Sequence, residues 1–120
     1  MNVVARLVYV VFGTLAIGLG IVALVAPALA LPRMGYSPLA AHLVNEQGAE
    51  AVFIGLMAFW CVAHFDERRP VHYALLVFAL LFAGIHWAEY FHGRRQVLSP
   101  VVNSVPFVLF AVTAPRGRRA

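Results

Sequence analysis

The chain has 120 residues, room for one domain, of which 62% are apolar and 12% charged, with a mean hydropathy of +0.84. Soluble domains average about half apolar and about a quarter charged, so an ordinary water-soluble domain is excluded. The net charge is +4 and all nine basic residues are arginine; they stand in short flanks between apolar runs and form no stripe, which excludes a nucleic-acid binder.

Four apolar runs follow one another. The first is LVYVVFGTLAIGLGIVALVAPALAL, Leu7 to Leu31. Arg6 in front and Ala28 to Ala30 behind imitate a signal peptide, but the apolar stretch exceeds the usual 7 to 15 residues, so the expectation is a retained span. Its small residues Gly13, Ala16, Gly20 and Ala23 recur at spacings of three, four and three. Lipid tails are as apolar as leucine, so helices in a membrane associate by close approach, and such a seam permits it.

The segment from Pro32 to Gln47 contains YSPLAAHLVNEQ. Ser37 suits an N-cap and Pro38 the first helical position. A helix is expected from about Pro38, lying at the membrane interface and then running on or bending into the second span. That second run is GAEAVFIGLMAFWCVAHF, Gly48 to Phe65, with a matching seam of Gly48, Ala51, Gly55 and Ala58. The two seams are expected to pack on each other. Cys61 is the lone cysteine, which excludes an internal disulfide and a Cys-x-x-Cys site; it reads as a small buried hydrophobe.

The turn HFDERRP follows, where Asp66 and Glu67 are expected to pair with Arg68 and Arg69, and His64 and His72 to sit among headgroups. The third run, VHYALLVFALLFAGIHWAEYF, spans Val71 to Phe91, and the fourth, VLSPVVNSVPFVLFAVTA, Val97 to Ala114. Pro106 should kink the fourth, with Asn103 and Ser104 repairing freed carbonyls. The basic tail APRGRRA suits anionic lipid. Each run is 18 to 25 residues long, the length needed to cross roughly 30 Å of hydrocarbon as a helix. The fold expected is all-α, a polytopic bundle of four transmembrane helices (about 7–31, 48–65, 71–91 and 97–114) in a single domain. With four crossings, one side holds Arg6, Arg68, Arg69, Arg116, Arg118 and Arg119, and the other Arg33, Arg94 and Arg95. That bias places both termini in the cytoplasm.

The polar residues inside these runs are the candidates for function. His86, Glu89 and His92 step by three, covering an arc of about 120° on a helix. His42, Glu46 and Glu50 step by four and share a face. Glu50 lies just inside the second run, where a carboxylate is costly, so it should face the bundle and find His86, Glu89 or Arg94. The sharp reading is an outward-facing polar pocket of Glu46, Glu50, His86, Glu89, His92 and Asn103 for a lipid, a quinone or a metal ion. His86, Glu89 and His92 are the candidate metal ligands, since imidazole and carboxylate suit zinc, copper or iron. Glu89-x-x-His92 matches half of a di-metal carboxylate motif that must occur twice, and it occurs once. The plain reading is an interfacial ring of ion-paired, snorkelling side chains. No cofactor is expected beyond such a metal, and no nucleophilic motif surrounds Ser37, Ser99 or Ser104.

Three stretches carry a resemblance. The first span ends in APALALPRMG, the second opens with NEQGAEAVFIGLMAF (Asn45 to Phe59), and the third closes in HGRR before the fourth. This layout resembles small bacterial four-span membrane proteins of the DoxX-like type and relatives of unknown function. The resemblance implies a four-helix membrane bundle and assigns no activity. The expected function is a non-catalytic component of the bacterial plasma membrane, accessory or structural, with a membrane protein partner or a homo-oligomer. The alternatives are the pocket protein and, third, a small transporter; the uncharged first span speaks against the multidrug kind.

Overall fold

A computed structural model describes residues 2–30, 38–93 and 97–115. Among them the chain is α-helical, without strands: α1 (Asn2–Val25), α2 (Pro27–Ala30), α3 (Pro38–Ala63), α4 (Arg69–Phe91) and α5 (Leu98–Val112). Three of these helices are long and apolar enough to cross a membrane: Val3–Val25 within α1, Ala40–Ala63 within α3, and α4. Their outer faces carry exposed Leu7, Leu15, Leu19, Leu56, Leu81 and Ile85, the surface a helix shows to lipid rather than to water.

Local chemistry sets the helix ends. Pro27 offers no N–H to continue the ladder, so α1 stops and a single further turn, α2, follows. The first span thus breaks earlier than Leu31. Pro38 sits in the first turn of α3, where a missing N–H costs nothing; Ser37 lies outside the described residues. From there α3 runs unbroken for 26 residues, about 39 Å. Of the two expectations for this segment, the helix runs on and no separate interfacial helix forms. A tight turn follows, closed by the Glu67 N–H donating to the His64 carbonyl at 3.0 Å. Gly93, at φ +110°, ends α4 in the left-handed conformation that glycine adopts freely. The last apolar helix has 15 residues, shorter than the expected run of 97–114.

The chain pairs as two hairpins, α1 against α3 and α4 against α5. In the first, the small-residue seams meet face to face. A Cβ on Gly20 would stand 2.6 Å from the Gly48 carbonyl oxygen, and one on Gly55 2.8 Å from that of Gly13. Backbone therefore touches backbone at two levels, as close helix association in lipid requires. In the second, Trp87 Nε1 donates to Ser104 Oγ at 2.9 Å, and Ser104 Oγ donates to the Pro100 carbonyl at 2.7 Å. Asn103 Nδ2 donates to the Ser99 carbonyl at 2.8 Å, and α5 continues through Pro106.

The hairpins meet chiefly at the end that holds the α3–α4 turn. There Ala5 and Tyr9 of α1, Ala58 and Cys61 of α3, Phe65 of the α3–α4 turn, Leu75 and Ala79 of α4, and Phe110 of α5 form one buried cluster. Contact between α3 and α4 is otherwise sparse. The molecule measures 55 × 32 × 19 Å, a slab of two hairpins side by side.

Candidate functional site

Beside the joint between the hairpins a groove of about 650 Å³ opens between α3 and α4. Phe53 and Met57 of α3, with Pro70, Ala74 and Phe78 of α4, form much of its wall, and Glu50 supplies its one charged group. Glu50 lies ten residues from one end of the span Ala40–Ala63 and thirteen from the other, about 15 and 20 Å of helix. It stands where the polar first turns of α3 pass into the apolar run, as expected from the sequence. Among the described residues Glu50 has no ion pair and no hydrogen bond. The expected partners do not reach it: Phe78 shares the groove, whereas His86 and Glu89 lie two to three turns further along α4. Arg94 lies outside the described residues.

The remaining rim residues form separate pairs rather than one pocket. His42 Nε2 stands 3.2 Å from Glu46 Oε1, both well exposed one turn apart on α3. His86 Nδ1 stands 3.8 Å from Glu89 Oε2 and 3.2 Å from Ser99 Oγ. His92 turns back on its own helix, with Nδ1 2.7 Å from the Ala88 carbonyl oxygen. Asn103 is spent on the Ser99 carbonyl. Among the described residues no three His, Cys, Asp or Glu side chains are grouped as metal ligands would be, so His86, Glu89 and His92 do not converge. Ser99, His86 and Glu89 have the makings of a nucleophilic triad, but Ser99 and Glu89 approach the same ring nitrogen. A triad needs the serine on one nitrogen and the carboxylate on the other.

Sequence reasoning missed a second polar centre. His72, expected among headgroups, is fully buried, as are Tyr9, Cys61 and Phe110. Its Nε2 is 3.0 Å from the Phe110 carbonyl oxygen and its Nδ1 is 2.5 Å from the Tyr9 hydroxyl. A carbonyl only accepts, so Nε2 carries the hydrogen; in the neutral ring Nδ1 then accepts from Tyr9. One imidazole thus ties α1, α4 and α5 together. The Cys61 thiol and the Arg68 guanidinium adjoin the Tyr9 hydroxyl.

Arg68 also departs from expectation. It does not pair with Asp66 or Glu67; among the described residues that turn holds no ion pair. Its guanidinium turns inward over the Phe65 ring, 3.5 Å from the centroid, and donates to the Phe65 carbonyl, while Arg6 stands 4.4 Å from the same ring. Cation–aromatic attraction and burial of the arginine stem outweigh a solvated pair worth about 0–1 kcal/mol. His64 stacks on Trp60 at 4.6 Å between centroids.

No protein-family model, curated protein or solved structure matches the chain. The chemistry of the residues themselves carries the functional reading, and two features stand apart. The His72 imidazole is sealed and both its ring nitrogens are partnered, as in a structural tie. The groove is open, and its one carboxylate is unpartnered among the described residues.

Proposed function

We propose that this is a non-catalytic integral membrane protein that binds a lipophilic molecule in the groove between α3 and α4. The observation that carries this reading is the groove itself. Its 650 Å³ falls within the roughly 300–1,000 Å³ of small-molecule sites, which are mostly apolar with a few placed polar groups. In this reading α5, paired along α4, is a fourth and shorter crossing, and both termini share one side. The arginine count, six against three, supports a cytoplasmic location for them and a bacterial plasma membrane as the setting. The layout resemblance to DoxX-like proteins belongs to the same proposal.

Photolabelling with an apolar diazirine in lipid nanodiscs tests it. Label is expected to concentrate on Met57 and Phe78 above the level on the lipid-facing Leu15 and Leu19 of α1. Ala74→Trp, which fills the groove from an exposed position, should abolish the excess without lowering the melting temperature. Equal labelling of the groove and the α1 face would overturn the reading.

A further inference from the structure

Glu50 is what an apolar groove does not need. A carboxylate within the apolar run of a membrane-spanning helix is held there at a cost unless it is protonated or meets a positive charge. Among the described residues none meets it, and the face it occupies opens sideways between α3 and α4, beside the cluster where the hairpins meet. A neutral hydrocarbon in the groove leaves the carboxylate as it was, and an anion is repelled. An organic cation with an apolar body satisfies both halves of the site. Phe53 and Phe78 line the same groove as Glu50, and aromatic faces attract alkylammonium groups, most strongly where water is excluded.

Resting on the groove reading above, we infer that the ligand class is a lipophilic organic cation, a long-chain or bulky amine or quaternary ammonium. Glu50 is its counter-charge, and Phe53 and Phe78 are the aromatic walls beside its head. The ligand enters sideways from the bilayer, and its apolar part lies along α3 and α4 toward Pro70.

The experiment is competition against the diazirine label in nanodiscs. The probes are dodecyltrimethylammonium and the uncharged hydrocarbon of the same shape, with carbon in place of nitrogen. The cation should displace label from Phe78 at a concentration at least about tenfold below that of the neutral probe, a difference of about 1.4 kcal/mol. Glu50→Gln, which keeps the shape and removes the charge, should erase that advantage and leave displacement by the neutral probe unchanged. Glu50→Asp, which keeps the charge, should retain most of it and guards against a fault in the glutamine variant. Equal displacement by both probes in the wild type would overturn the cation and leave the groove standing. Displacement by neither, or a groove closed to label by a second copy of the chain, would overturn both.

Discussion

At the scale of single residues, the protein places its polar side chains in two opposite ways. His72 is buried and fully satisfied, whereas Glu50 is accessible and unpartnered among the described residues. Removing one member of a buried hydrogen-bonded pair strands the other, at about 1–3 kcal/mol, whereas removing both together costs less. His72→Phe should therefore destabilise the protein by about that amount. Adding Tyr9→Phe to it should cost less than the sum of the two single changes, because they share one bond. Unfolding in a denaturing detergent series, read by far-ultraviolet circular dichroism, checks this; strict additivity would mean that Tyr9 and His72 do not interact. Cys61, fully buried beside Tyr9, should resist maleimide in the folded protein and react fully once it unfolds. Fast labelling under native conditions would show that the joint between the hairpins opens.

At the scale of helices, the contact between α1 and α3 depends on missing side chains. A methyl group on Gly20 would enter the Gly48 carbonyl and the Val52 backbone, neither of which can rotate away. Gly20→Ala should then destabilise by about 1–3 kcal/mol, the ordinary cost of overpacking, and Gly20→Leu should prevent the hairpin from closing. Gly18 and Gly84 make the internal control, since a Cβ at either meets nothing within 4 Å. Alanine there should be neutral or stabilising, by up to ~1 kcal/mol from helix propensity. Thermal melting of the three alanine variants in one detergent checks the contrast; a Gly20→Ala variant that melts with the other two would show that the backbones are not in contact. The α4–α5 hairpin is built differently, with side-chain hydrogen bonds through Trp87 and Ser104 in place of glycine contacts.

At the scale of the whole molecule, the number of crossings decides what each face meets. Four crossings put the N- and C-termini on the same side, and three put them on opposite sides. Paired reporter fusions, one active only in the cytoplasm and one only outside it, should give the same answer at both ends. Opposite answers would make α5, at 15 residues, an interfacial helix. The splay of the hairpins is the other large-scale property. Their contact is concentrated at the end bearing the α3–α4 turn, so the opposite end has room for exposed pairs such as His42–Glu46 rather than a closed polar pocket.

The sequence by itself determined the helical class, the apolar character and the faces that meet between α1 and α3. Those follow from composition and from spacing along one helix, which are local quantities. The start of α3 was legible at Pro38, whereas the break at Pro27 was not, because the apolar run continues through it to Leu31. Tertiary structure alone decided the fate of the ionisable groups. Whether His72 is sealed by Tyr9 and Phe110, whether Arg68 turns toward Phe65 or Glu67, and whether Glu50 reaches His86 depend on how two hairpins sit against each other. No periodicity within one helix encodes that arrangement, because it is set by contacts between residues as distant in sequence as Tyr9 and Phe110.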